Sequence, residues 1–343
     1  MLINGRHKFD VRLYALVTSV APLRIYLHEC GLARIATHEY CKSSENTNEV
    51  IDVSDLAAML TNVSLNRNED GFSAAQQKIP LQQLYEELRK QGINTDLIVN
   101  EFERIVTFTI ISAATKIRQY HQSLVPHRHT SFEMFGFDVL IDENLKCWLM
   151  EVNVSPSMSG KDAEFDRKQK FDIMAEMFNI GRVIDCDPSS TRVASESKNS
   201  PSNGQNSPES PESIPRADFT PNENGSNLRK AVDLYDSYWR DSIKSINIKE
   251  NPTPWDWRNP IFADLAVVRD FVEEKQRLRK FRRVFPRRKN IDECERCFEK
   301  LGYLDRSFFT WIKMSNEERF EALKRGEKIY SDALSEIVAK SNL

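Results

Sequence analysis

Two apolar runs near the middle of the chain, residues 132–141 and 148–154, are separated by a polar Asp-Glu-Asn turn. This pattern predicts a β-hairpin. Closer to the N-terminus, residues 9–13 alternate apolar and charged side chains. Because successive side chains of a strand point to opposite faces, this alternation predicts a strand with one buried face and one charged face.

Apolar side chains recur at helical spacing in residues 81–90 and 95–122, which predicts two helices that pack against the core. A further helix is predicted over residues 162–180, because a glycine follows it as a natural stop. Residues 187–227 are rich in Ser, Pro, Asn, Glu and Gly, so they predict a disordered linker. Residues 228–343 return to helical spacing and predict a helical extension.

Composition limits the classes of protein that the chain could belong to. The 343 residues allow about two domains, and the net charge of −3 does not by itself indicate a partner. No apolar run approaches the roughly 18 residues of a membrane-spanning helix, so we expect a soluble, intracellular protein. The six cysteines are scattered without a framework, which predicts free thiols in a reducing compartment.

The predicted hairpin brings three polar side chains together. Glu151 and Asn153 are two positions apart at the end of one arm, so they share a face. Folding of the hairpin brings Asp138, at the start of the other arm, to the same end. Two carboxylates and a carboxamide supply the hard oxygen ligands that suit Mg²⁺. The alternative for these residues is a polar hairpin end that faces water.

Residues 275–289 carry nine Lys and Arg side chains, interleaved with apolar ones. Such a charge density favours a polyanionic partner, whether nucleic acid, anionic lipid or an acidic protein tail. The alternative is a basic helix face that meets only solvent. Nucleic acid is the weaker partner class, because the segment lacks an aromatic platform and a nucleic-acid-binding motif.

Five segments resemble, in order and approximate spacing, the tubulin tyrosine ligase-like family. They are residues 8–12, 23–36, 60–62, 135–138 and 151–157, the last two reading Phe-Gly-Phe-Asp and Glu-Val-Asn-Val-Ser-Pro-Ser. The resemblance extends over about residues 2–180. It implies an ATP-grasp fold and a ligase that joins an amino acid to a protein carboxylate at the expense of ATP.

The fold class that we predict is α+β, with an ATP-grasp-like antiparallel sheet, flanking helices and a helical C-terminal extension. The expected division is a partial ATP-grasp domain at residues 1–186, a disordered linker at 187–227 and the extension at 228–343, with a basic segment at 275–289. The resemblance also implies that the N-terminal part of the fold, with its phosphate loop and nucleotide-binding lysines, is missing from this sequence.

The resemblance assigns roles to the polar residues of the matched segments. Arg12 and Arg34 are the catalytic candidates, because a guanidinium group suits the γ-phosphate of ATP. Asp138, Glu151 and Asn153 would hold Mg²⁺. The expected nucleotide-binding residues are Lys8, Asp10, Arg12, Arg34, Thr61 and Asn62, the last two lying beside the phosphates or the incoming amino acid.

The basic segment resembles the post-catalytic segment of the family's polyglutamylase branch. Tubulin or microtubules, through their acidic C-terminal tails, are therefore the expected partner, and free glutamate is the expected amino acid to be added. The expected contacts are Arg277, Arg279, Lys280, Arg282, Arg283, Arg287 and Arg288. We expect a cytoplasmic monomer associated with the cytoskeleton or, more narrowly, with a cilium or basal body.

Two functions follow. The first is an ATP-dependent protein-glutamate ligase that adds glutamate to the side chains of glutamates in tubulin tails through an acyl-phosphate intermediate. The alternative is a catalytically inactive fragment or pseudoenzyme that binds microtubules or other acidic partners through its basic helix. The resemblance does not decide whether the ligase would initiate or elongate glutamate chains. It also leaves open whether the substrate is α-tubulin, β-tubulin or another protein.

Overall fold

The computed structural model describes residues 2–3, 6–40, 56–61, 77–124, 131–160, 163–182, 223–247 and 257–341. An antiparallel sheet lies at the centre of these residues. Its strands are β1 (Leu2–Ile3), β2 (His7–Val20), β3 (Leu23–His28), β4 (Leu32–Ile35), β5 (Lys78–Pro80), β6 (Glu133–Ile141), β7 (Cys147–Val154) and β8 (Phe281–Phe285). The predicted hairpin is β6 and β7, which pair antiparallel.

The long strand β2 organises the sheet. On one side it pairs with β4 along its first half and with β3 along its second half, and on the other side it pairs with β6. The predicted alternation is present along it. Phe9, Val11 and Leu13 lie in the main core, whereas Asp10 and Arg12 project from the opposite face.

The helices are placed on both sides of the sheet. They are α1 (Leu56–Met59), α2 (Leu81–Lys90), α3 (Thr95–Leu124), α4 (Glu164–Ile180), α5 (Glu223–Asn247), α6 (Phe262–Arg277), α7 (Ile291–Glu295), α8 (Tyr303–Lys313) and α9 (Asn316–Ser341). The apolar stripes of α2 and α3 bury into the main core with the apolar face of β2. The opposite face meets α4, where Tyr14 and Leu16 pack against Ile173 and Met177.

The expectation of an all-helical extension is wrong at one place. Residues 281–285 of the basic segment form the strand β8, which pairs antiparallel with β3, so the segment is not a basic helix. Phe281, Val284 and Phe285 are buried there, and the open edge of β3 supplies their backbone partners. In addition, α5 begins at Glu223, inside the predicted linker; most of that linker lies outside the described residues.

Two expectations from composition can be compared with the described part of the chain. Cys30, Cys147, Cys294 and Cys297 are free thiols, as predicted. Among the described helices, none combines the length and apolar character that crossing a membrane requires.

A buried ion pair joins the extension to the sheet. Glu274 of α6 accepts hydrogen bonds from Arg24 Nη2 at 3.0 Å and from the Tyr26 hydroxyl at 2.5 Å, both on β3. All three side chains are buried. A buried charge is stable only when it is paired and hydrogen-bonded, so α6 is an integral part of the fold around β3.

We expect Glu274→Ala to lower the free energy of unfolding by about 3–5 kcal/mol, because it leaves the Arg24 guanidinium buried and unpaired. Urea unfolding of the whole chain measures this. Lys275→Ala, at an exposed position of the same helix, is the control and should change little. The double variant Arg24→Met/Glu274→Met should recover much of the loss, and a double variant no more stable than Glu274→Ala would contradict this account.

Candidate active site

Five charged side chains form a row across four strands, which we call the charged row. Arg34 on β4 lies opposite Asp10 on β2, and Arg12 on β2 lies opposite Asp138 on β6. Asp138 in turn lies opposite Glu151 on β7. The strand register thus brings Arg12 and Asp138, which are 126 positions apart in the chain, into direct contact.

Asp138 is the centre of the charged row. Its carboxylate accepts hydrogen bonds from both Nε and Nη2 of Arg12, the latter at 2.8 Å, and its Oδ2 lies 2.7 Å from Arg34 Nη2. Only 3% of Asp138 is exposed. Burial acts to raise the pKa of this carboxyl, but the hydrogen bond from Arg12 and the charges of both arginines hold the pKa below its ordinary value.

Asp10 fixes the second arginine. Arg34 donates to it through both Nε, at 2.6 Å, and Nη2, at 2.9 Å, in a bidentate pair. The Thr61 hydroxyl donates to the same carboxylate. Arg34 therefore bridges Asp10 and Asp138, and Thr61 belongs to the same network.

The other nucleotide candidates are placed differently. Lys8 Nζ donates to the backbone oxygen of Met59 at 2.9 Å, so it contacts α1 and not the charged row. Asn62 lies outside the described residues. The roles assigned to both stay predictions.

The metal candidates meet in the hairpin, although not at its end. Asp138 lies within β6, which begins at Glu133, and not at the start of a strand as expected, because the pairing with β2 extends over β6. Glu151 contacts Asp138. Asn153 Nδ2 donates to Glu151 Oε1 at 2.9 Å, which leaves the Asn153 carbonyl oxygen as an acceptor.

This donor set fits a hard cation. Asp138 lies opposite Glu151 in the hairpin, and the oxygens of Asp138, Glu151 and Asn153 are of the kind that Mg²⁺ prefers. Within the described ranges, no three His, Cys, Asp or Glu side chains form a metal-binding group. The set of Asp138, Glu151 and Asn153 has two carboxylates, and Mg²⁺ that shares its coordination with phosphates and water is usually bound by one or two.

A glycine allows the close packing beneath Arg12. A Cβ on Gly136 would lie 2.9 Å from Pro156 Cβ and 3.3 Å from Arg12 Cδ. The segment that follows β7 can therefore fold back over β6 and hold the Arg12 side chain against the sheet only if this position has no side chain.

Sequence reasoning missed a buried cluster beside the charged row. Lys78 on β5 and Lys170 on α4 share Asp166, with Lys78 Nζ 2.9 Å from Oδ2, and Lys170 also donates to Ser159 O at 2.7 Å. Burial, together with the charges of Lys78 and Arg12, lowers the pKa of Lys170 despite the nearby Asp166 carboxylate. The sequence signal that could have indicated this cluster is the i,i+4 spacing of Asp166 and Lys170, which places both side chains on one face of α4.

The residues predicted to contact an acidic partner do not form one surface. Leu27 of the main core lies opposite Arg282, whereas Tyr26 of the opposite face lies opposite Arg283, so these two arginines project to different sides of the sheet. Arg283 lies over the Phe271 ring at 3.9 Å.

The other basic residues are placed as follows: Arg277 is 4.0 Å from Glu273, Lys280 is 3.6 Å from Asp172, Arg287 is 2.7 Å from Glu103, and Arg279 and Arg288 are exposed. Their contact with a partner stays a prediction.

Fold and site together define a mixed α+β protein with an antiparallel sheet that carries arginine and carboxylate side chains in one charged row. The model of the tubulin-tyrosine ligase family matches residues 1–190, and the chain belongs to this family. Membership implies an ATP-grasp fold.

Several curated relatives match the chain. It is 38% identical over 195 residues to tubulin polyglutamylase TTLL5 of Mus musculus, covering 54% of this chain and 14% of that protein. It is 34% identical over 184 residues to tubulin monoglutamylase TTLL4 of Mus musculus, covering 53% of this chain and 15% of that protein.

A third match reaches into the extension: tubulin polyglutamylase ttll-4 of Caenorhabditis elegans is 27% identical over 334 residues, covering 96% of this chain and 50% of that protein. The chain thus spans half or less of each of these three relatives.

We expect Asp138→Asn to lower the free energy of unfolding by about 3 kcal/mol at neutral pH, because it removes the charge that both arginines share. The pKa of Asp138 is depressed below 3.8, so its stabilising effect is complete above that value and is lost as the pH falls through the lower pKa of the folded protein. The difference from wild type should stay constant from about pH 7 to about pH 5 and shrink below about pH 4.

Urea unfolding at a series of pH values measures this difference. Asp172→Asn, at a partly exposed carboxylate on α4, is the control and should show only a small change. A loss of stability that persists undiminished at the lowest pH would show that the Asp138 charge is not its source.

Proposed function

We propose that this protein is an ATP-dependent ligase that adds glutamate to the side chains of glutamate residues in tubulin tails. The observation that carries the proposal is Asp138, held between Arg12 and Arg34 and in contact with Glu151. Relatives named as tubulin polyglutamylases and monoglutamylases support the choice of substrate and amino acid.

The reaction that suits this site needs no nucleophile from the protein. The carboxylate of a substrate glutamate attacks the γ-phosphorus of ATP, which releases ADP and forms an acyl phosphate. The amino group of free glutamate then attacks the acyl carbon, expels phosphate and leaves an isopeptide bond. Such phosphoryl transfer depends chiefly on positioning and on cations around the phosphoryl oxygens.

Arg12 and Arg34 provide those cations. Their guanidinium groups are already oriented by Asp138 and Asp10, so little reorganisation is needed when charge develops on the transferred phosphoryl group. Thr61 supports Arg34 through Asp10. Lys8 and Asn62 complete the proposed nucleotide contacts.

Asp138, Glu151 and Asn153 would hold Mg²⁺, which supplies neutralisation of phosphate charge when it is bound. Because Asn153 donates its amide hydrogen to Glu151, the Glu151 carboxylate is kept in one orientation beside Asp138. The three side chains therefore present oxygen atoms on the same face of the sheet as the two arginines.

The test is mass spectrometry of tubulin tail peptides after incubation of the whole chain with Mg-ATP and glutamate. Glutamate should be added by the wild type, and Glu151→Gln should reduce addition by about 100-fold or more, because it removes an exposed ligand charge. Thermal unfolding of this variant should match that of the wild type.

Glu164→Gln, at an exposed position on α4, is the matched control and should keep its activity. Addition that is undiminished in Glu151→Gln would contradict the assigned metal site. A wild type that co-sediments with microtubules and adds no glutamate would contradict the ligase and favour a binding protein.

A further inference from the structure

Three cations of the C-terminal extension converge on one carboxylate of α3. Glu103 lies 2.7 Å from Arg287 Nη1, 3.3 Å from Arg282 Nη2 and 3.5 Å from Lys289 Nζ. We call these four residues the Glu103 cluster. They lie up to 186 positions apart in the chain, because β8 brings the basic segment onto the end of the sheet that α3 covers.

The charges of the Glu103 cluster are not balanced. One carboxylate faces three cations, which leaves two positive charges in excess. Only 11% of the Glu103 side chain is exposed, whereas 39% of Arg282 and 61% of Lys289 are exposed. The carboxylate therefore lies at the bottom of a cationic surface that remains accessible to a second anion.

Two other carboxylates, those of Glu101 and Glu293, are paired with a cation outside the cluster. Arg104, the next residue of α3, is paired with Glu293 at 2.9 Å and with Glu101 at 3.7 Å, away from the cluster. On the other side, Arg89 of α2 lies 6.0 Å from the centroid of the Tyr85 ring. Burial raises the pKa of Tyr85, and the charges of Arg282 and Arg89 act to lower it, so α2 adds a further cation on this side.

The Glu103 cluster and the charged row lie on opposite faces of the sheet. Arg282 is opposite Leu27, which belongs to the core that α3 covers, whereas Arg12 projects from the face that carries Asp138. A partner that contacts both must therefore reach around the edge of the sheet. The part of the partner that docks on the Glu103 cluster is therefore different from the glutamate residue of the partner that the ligase modifies.

We propose that Glu103 is an internal anion that occupies this cationic surface and limits its affinity for a glutamate-rich peptide of the partner. The inference rests on the proposed function for its acidic partner. The geometry favours a carboxylate over other anions, because Arg287, Arg282 and Lys289 are already spaced around the two oxygens of a carboxylate. A peptide glutamate shares these cations with Glu103 and takes up the excess charge.

The experiment is fluorescence anisotropy of a labelled poly-glutamate peptide titrated with the whole chain. Glu103→Gln should bind the peptide about three- to tenfold more tightly than the wild type, with a steeper dependence on salt, because the competing charge is gone. Glu101→Gln is the matched control, since it makes the same change of net charge on the same helix without touching the three cations. It should bind like the wild type.

A second variant keeps the test independent of any loss of stability in Glu103→Gln. Arg282→Gln/Lys289→Gln changes two partly exposed side chains and should weaken binding about three- to tenfold, while circular dichroism remains that of the wild type.

Two results would overturn this inference without affecting the proposed ligase. In the first, the wild type binds the peptide, but Glu103→Gln binds it no more tightly than Glu101→Gln does. In the second, the chain binds a single-stranded oligonucleotide more tightly than it binds the peptide. Failure of all variants to bind poly-glutamate would overturn the inference and the proposed acidic partner together. The separate measurement of glutamate addition would then still decide whether the protein has the proposed ligase activity.

Discussion

The structure depends on the need to neutralise charge on a strand that is buried on both faces. β2 pairs with neighbours on both of its edges, and one of its faces is covered by α3 and the other in part by α4. Asp10 and Arg12 nevertheless lie on it. Because buried charges are stable only in pairs with good hydrogen bonds, each neighbouring strand has to present the opposite charge at the matching register.

This requirement explains why the candidate site is a row across the sheet and not a cluster on a loop. Arg34, Asp10, Arg12 and Asp138 satisfy one another through register, so the two carboxylates hold the arginines in fixed orientations. In the reaction that we propose, arginines held in this way would receive the charge of the phosphoryl group with little rearrangement. The same network makes the site part of the fold, and its stability and its chemistry are therefore linked.

The extension takes part in this arrangement. The Glu176 carboxylate of α4 accepts hydrogen bonds from the backbone N–H groups of Arg279, Lys280 and Phe281, which fixes the start of β8 at the edge of β3. Glu274 fixes α6 to the same strand. Beyond the family match at residues 1–190, the extension thus completes the sheet, and it places basic side chains on both faces.

Local pattern in the sequence was enough to predict several elements. Apolar periodicity predicted the strand at residues 9–13, α2 and α3, because it reports which face of an element is buried. The polar turn between two apolar runs predicted the hairpin, and the glycine that follows α4 predicted that helix. The two-residue spacing of Glu151 and Asn153 likewise predicted that they share a face. The resemblance supplied Arg12 and Arg34, and also Asp10 and Asp138 as nucleotide and metal ligands, but it did not supply the pairing by which these two carboxylates orient the arginines.

Tertiary structure alone decided the rest. Asp138 bonds both arginines because of strand register, Lys78 meets Asp166 across 88 positions, and Glu103 meets Arg287 across 184. Residues 281–285 are a strand because β3 has an open edge to fill, a fact that no local pattern records. The apolar periodicity and the composition of a segment determine which secondary structure it can form. The contacts between segments depend on the whole fold, because all apolar faces have to be buried and all buried charges paired at the same time.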